Sequence, residues 1–148
     1  MKVFIENEAG SCVKHIHDEK TLELKATERV SRAYPLPYGF ILNTTAEDGD
    51  NVDCFVLTKR QVKTATILNC QAIGLMEQIE DGEIDHKVLA VIHDEPETLD
   101  DDIKQTLAEF ARHVFDHIPG KTMHIGAFRD REPALEYVRQ HRDPTATS

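Results

Sequence analysis

The sequence predicts an α+β protein, a small and mostly antiparallel β-barrel with helices packed outside it. Three observations point there. Short apolar runs bounded by turn residues crowd the chain up to Ile92, helical periodicity sets in only near Asp102, and 148 residues are enough for one domain with a sizeable core.

In chain order, Lys2 to Glu6 alternates as a first strand, and Asn7 to Ser11 turns it toward Cys12 to His17, which reads as a hairpin. Thr21 to Lys25 alternates as a third short strand after the turn Asp18-Glu19-Lys20. Thr66 to Met76 and Lys87 to Ile92 are further strands, rich in Ile, Leu and Val and separated by a second acidic turn, Glu80 to Asp85. Ile103, Leu107, Phe110, Ala111 and Val114 recur at helical spacing, so Asp102 to about His117 is one long amphipathic helix, stopped by Pro119-Gly120. Met123 to Ala127 reads as a last short strand, Pro133 to Gln140 as a short C-terminal helix, and the tail from Asp143 as frayed.

Composition bounds the function. A formal charge of −10 and a pI near 5.2 exclude a nucleic-acid backbone as partner, because phosphate binding needs a basic face. Three cysteines without CxxC spacing, two of them (Cys54 and Cys70) in apolar runs, read as reduced core residues of a cytoplasmic protein. The first strand follows with no secretory leader, and no apolar run approaches about 18 residues, so no membrane span is expected. The histidines His15 and His17 alternate on a strand and read as surface or interface residues.

The chemistry is expected between Tyr34 and Asp53. Apolar Tyr38 to Leu42 leads into a loop that places Asp48, Asp50 and Asp53 within six residues before the apolar run Cys54 to Leu57. Three carboxylates this close raise one another's pKa unless a cation neutralises them, and hard oxygen donors select Mg²⁺, Mn²⁺ or Ca²⁺. An EF-hand is excluded by spacing, since Val52, Asp53 and Lys59 stand where that loop needs a ligand, a glycine and a glutamate. Taken singly, Glu6 and Lys14 read as solvent-facing strand residues, Tyr38 as core, and Asp85 with Lys87 as a surface ion pair of little worth.

Together these pieces resemble a known family. Tyr34-Pro35-Leu36-Pro37-Tyr38-Gly39, Asp48-Gly49-Asp50-Asn51-Val52-Asp53 and Asp85-His86-Lys87 are similar to the motifs of the soluble inorganic pyrophosphatases, Mg²⁺-dependent enzymes with an OB-like barrel, and the likeness runs from Val3 to about Tyr137. The resemblance implies that Asp48, Asp53 and Asp85 bind divalent metal, Mg²⁺ with Mn²⁺ as a substitute. Glu6 would ligate a metal arriving with the substrate, and Glu80 would stand for a further metal-binding aspartate. Asp50 would be the general base on the attacking water, Tyr38 would lie against the base or phosphate, and Lys14 and Lys87 would grip phosphate oxygens. Hydrolysis of a diphosphate requires a hydroxide at neutral pH and a sink for charge on the leaving phosphate, and carboxylate-bridged Mg²⁺ ions supply both. The implied partners are a small-molecule diphosphate and further copies of the chain in a homo-oligomer.

Five positions depart from the family pattern. Val114 and Phe115 stand where a Tyr-Lys pair holds the departing phosphate, Ala26 replaces an arginine, Ile16 replaces a glutamate, and Asn51 stands in place of proline or glutamate, a milder change. Lys25, Arg29 or Arg32 could reach in for the missing arginine. The competing reading is a non-catalytic or altered-substrate homologue that keeps metal binding but lacks part of the phosphate clamp. Retention of Asp50 favours the enzyme, because a binding module would gain by losing its repulsion.

Overall fold

A computed structural model describes residues 1–144, and residues 145–148, where part of the frayed tail was expected, lie outside the described residues. Strands β1 (Lys2–Asn7), β4 (Tyr38–Ile41), β5 (Asp53–Val56), β8 (Lys87–Ile92) and β6 (Ile67–Glu80) are paired in that order, and β6 pairs back with β1, which closes a five-stranded barrel. The 14-residue β6 makes closure possible. Its start pairs with β1, its middle with β8, and its far end carries β7 (Glu83–Ile84) and β9 (Met123–Arg129). Irregular registers beside Ile73 and Glu77 let one strand bend through so many neighbours.

Helix α1 (Asp101–His113) begins where the Asp100 carboxylate accepts from the Ile103 N–H at 2.8 Å, with Asp101 and Asp102 in the favourable first turn. Its buried Leu107, Phe110 and Ala111 pack with Tyr34, Tyr38 and Phe55 in one core cluster. Helix α2 (Arg131–Gln140) buries Ala134 and Val138 against a second cluster built on Val3, Ile5, Val52 and Cys54. Helix α2 and the residues after it return to the acidic loop: the Tyr137 hydroxyl donates to Glu47 at 2.8 Å, and Thr44 bridges to Arg142. No helix among the described residues is long and apolar enough to cross a membrane.

Several expectations need correction. β1 forms no hairpin with β2 (Val13–His17); β2 pairs with β3 (Leu24–Arg29) as a separate two-stranded ribbon. Side chains join the ribbon to the barrel instead, the Asn7 Oδ1 accepting from the His15 N–H at 2.6 Å and the Glu6 Oε2 from the His17 N–H at 3.0 Å. The third strand starts later than its alternation suggested, because the Asp18 carboxylate gathers the Lys20 and Thr21 N–H groups and Leu22 takes a φ of 65°, making residues 18–23 a turn. β5 and β8 run parallel within the otherwise antiparallel sheet. The long helix ends at His113 rather than His117, where bonding to the fourth residue back gives way to turns such as the Ile118 N–H to the Phe115 carbonyl. His17, expected at the surface, is buried against the Phe4 ring.

Candidate active site

One cavity of about 220 Å³ opens at the end of the barrel where β4 leaves for the acidic loop. Local backbone chemistry builds that loop. The Asp48 Oδ1 accepts from the Asp50 N–H at 3.0 Å, and Gly49 between them has a φ of +89°, a left-handed conformation that costs glycine little. The turn leaves Asp50 exposed, with no side-chain hydrogen-bond partner among the described residues. Gly39 of the Tyr-Gly pair has a different reason: a Cβ there would lie 1.7 Å from the Phe4 carbonyl oxygen, so β1 and β4 could not approach as they do.

Asp53 opens β5 and Lys87 opens β8, and the parallel register sets them side by side. The Lys87 Nζ donates to Asp53 at 2.7 Å, to the Tyr38 hydroxyl at 3.0 Å and to Asp85 at 3.1 Å. This is a buried network, not the surface pair that the two residues suggested alone, since Lys87 is only 7% exposed. Burial works against the ammonium, but Asp53, Tyr38 and Asp85 outweigh it and hold Lys87 charged. One ammonium cannot neutralise two carboxylates, and burial together with Asp53 leaves Asp85 raised to about 7 despite the lysine.

The remaining residues enter from other elements. Glu6 on β1 is buried rather than solvent-facing, and burial pushes its carboxyl up to about 7 against the His17 N–H that lowers it. Lys14 and Ile16 come from β2, Glu80 from the end of β6, and Val114 and Phe115 from the end of α1. The structure thus brings every candidate catalytic, phosphate-binding and metal-binding residue, together with Ile16, Val114 and Phe115, to one cavity, while Ala26 and Asn51 do not line it. Ala26 faces Ile16 directly across the β2–β3 ribbon. None of Lys25, Arg29 and Arg32 lines the cavity in its place.

Two lining residues were missed. Glu19, in the turn between β2 and β3, accepts from the Asn51 N–H at 2.9 Å, and burial, with the charges of Asp53 and Asp50, raises its carboxyl to about 8. Asn51 fixes this arrangement, since its Oδ1 also accepts from Lys20 at 2.9 Å and its Nδ2 donates to the Ile41 carbonyl at 3.0 Å. Gln78 donates from Nε2 to Asp85 at 3.4 Å and leaves its buried Oε1 without a donor. Nothing local marks either residue, because Glu19 is held by a residue 32 positions away.

Around the cavity stand seven carboxylates and only two ammonium groups, Lys14 and Lys87. Among the described residues no three Asp, Glu, His or Cys side chains are already drawn together closely enough to hold an ion. The donor set nonetheless fits hard divalent cations: every carboxylate is an oxygen donor, the negative charge is in excess, and the orphaned Gln78 Oε1 is a further oxygen beside Asp85.

Comparison with known proteins agrees with the geometry. The family described as inorganic pyrophosphatase matches residues 3–145. The inorganic pyrophosphatase of Aquifex pyrophilus is 31% identical over 150 residues, covering 93% of this chain and 85% of that one. That of Mycoplasma genitalium is 38% identical over 96 residues, which cover 64% of this chain and only about half (52%) of the relative. The crystal structure of the inorganic phosphatase from Anaplasma phagocytophilum superposes with a TM-score of 0.87 at 28% identity, covering 95% of this chain and 90% of that one. With most of its length matched and its motif residues gathered at one cavity, the chain belongs to the inorganic pyrophosphatase family.

Proposed function

We infer that the cavity hydrolyses inorganic diphosphate to two phosphates with divalent metal, Mg²⁺ or in its place Mn²⁺. As a family member the chain is an inorganic diphosphatase; the roles within the site are our reading. Asp48, Asp53, Asp85, Glu6 and Glu80 hold the cations, and Glu19 lies near enough to join them. Bound cations neutralise the diphosphate and acidify water. Asp50 accepts the proton of the attacking water as its oxygen bonds to phosphorus and the bridging P–O bond breaks. Lys14 and Lys87 bind phosphate oxygens, and the Tyr38 hydroxyl keeps the Lys87 ammonium in place.

The observation that carries this reading is Asp50, an unpartnered carboxylate at the mouth of a cavity whose other acids are buried, shared or hydrogen-bonded. The buried Cys54 and Cys70 thiols suit a cytoplasmic protein, and family likeness supports a homo-oligomer. Phosphate release from diphosphate with Mg²⁺ tests the reading, and no release with Mg²⁺ or Mn²⁺ would leave a metal-binding homologue without this activity. The apolar end of α1 favours a second possibility, an altered substrate.

A further inference from the structure

The cavity has two unlike halves. Carboxylates and Lys87 line the half formed by the acidic loop, β5 and β8, whereas α1 and the turn after it contribute only carbon: Phe110, Ala111, Val114 and Phe115. Ile16 and Met123 extend this surface from β2 and β9. The register adds Ala26 opposite Ile16, and directly paired residues share one face of a ribbon, so the apolar surface continues along it. The Phe115 ring is half-buried, with the Lys14 Nζ 4.9 Å and the Lys121 Nζ 4.7 Å from its centroid. Lys121 is already turned toward Glu80 and Asp81 at 3.7 and 3.9 Å, which leaves Lys14 as the cavity ammonium without a carboxylate partner among the described residues.

Apart from Lys14, His15 and the Tyr34 hydroxyl, this side of the cavity meets the oxygens of a leaving inorganic phosphate with carbon that cannot hydrogen-bond them. A phosphate that carries a hydrocarbon group on one oxygen suits it better: Lys14 meets the charge, and the hydrocarbon covers Val114, Phe115 and Ile16.

We propose that this site also hydrolyses diphosphate monoesters of small apolar alcohols, with the terminal phosphate in the carboxylate half and the esterified phosphate against the apolar wall. This rests on the diphosphatase reading above. Water attacks the terminal phosphorus, the bridging P–O bond breaks, and the bridging oxygen leaves with the ester phosphate. A trianionic diphosphate monoester and water thereby give a dianionic monophosphate ester and dihydrogen phosphate, with no redox change.

The test compares inorganic diphosphate, isopentenyl diphosphate and ADP as substrates with Mg²⁺, for the wild type, the V114Y/F115K double variant and the milder Phe115→Ser. We expect the wild type to cleave isopentenyl diphosphate with kcat/KM at least tenfold above ADP. The double variant should lower the isopentenyl-to-inorganic ratio by tenfold or more. Phe115→Ser, at a half-buried position that spares the core, should move it the same way and raise KM for the ester more than it lowers kcat. Cleavage of inorganic diphosphate alone by the wild type, ADP cleaved as well as the apolar ester, or an unchanged ratio in Phe115→Ser overturns the proposed substrate class and leaves the diphosphatase reading standing. Cleavage of none of the three removes both.

Discussion

Asp53 and Lys87 stand beside one another across the parallel β5–β8 ladder, with Nζ 2.7 Å from the carboxylate oxygen and the lysine almost wholly buried. The lysine is therefore a structural counter-charge, in addition to the phosphate-binding role proposed for it. Lys87→Met keeps the length of the side chain but leaves Asp53 and Asp85 unpaired, and should destabilise the metal-free protein by about 3 kcal/mol. Mg²⁺ should recover much of that loss, so the melting shift on adding metal should be larger in the variant than in the wild type. Equal shifts would mean that cations do not enter between these carboxylates.

Asp50→Asn should lower kcat for diphosphate by about a hundred to ten thousand fold, because the amide cannot take the proton of the attacking water. Metal binding, read calorimetrically, should persist. Asp53→Asn should differ, losing metal affinity first and regaining part of its rate at excess Mg²⁺. Wild-type turnover in Asp50→Asn would remove the general-base role.

Without metal, stability should fall as pH rises. Glu6 and Asp85 are raised to about 7 and Glu19 to about 8, so the folded chain keeps protons that the unfolded chain has already released. The contribution is complete below about pH 4 and gone above about pH 8. Saturating Mg²⁺ should flatten the slope, and binding at neutral pH should release protons, detectable as a buffer-dependent calorimetric heat. A melting temperature that climbs with pH in the metal-free protein would contradict these assignments.

Gly39→Ala should be among the most damaging single substitutions. The added carbon would meet the Phe4 carbonyl, a backbone atom that moves only if β1 shifts, and β1 also carries Glu6. A loss of about 3 kcal/mol or more is expected by chemical denaturation.

Asn51→Pro removes the N–H that holds Glu19 and the side-chain oxygen that holds Lys20. Metal affinity and the mobility of the β2–β3 turn should change together, the latter seen as faster amide exchange around residues 18–23. Unaltered exchange there would show that the turn is held otherwise.

The acidic loop was legible in the sequence because its geometry is local: Asp48 and Gly49 make the turn from their own side chain and φ. Helix α1 was legible for the same reason, through the helical spacing of Ile103, Leu107, Phe110 and Ala111. The β1–β2 hairpin was misread because alternation marks a strand without naming its neighbour, and here Glu6 and Asn7 side chains take the place of a ladder. Glu6 and Lys87 looked exposed because burial is decided by what the barrel packs around them. Glu19 was invisible since its position depends on Asn51, reached only after the whole ribbon has folded back.

The tie between Tyr137 and Glu47 spans 90 residues, and that between Asp143 and Thr45 spans 98. A ribosome adding about 5–20 residues per second needs roughly 5 to 20 s to cover such a distance. The acidic loop is thus made well before the segments that tie it down at Glu47 and Thr45. Throughout that interval the loop carboxylates are open to solvent cations, so, if they hold metal as proposed, newly made protein meets it before the architecture that positions it is complete.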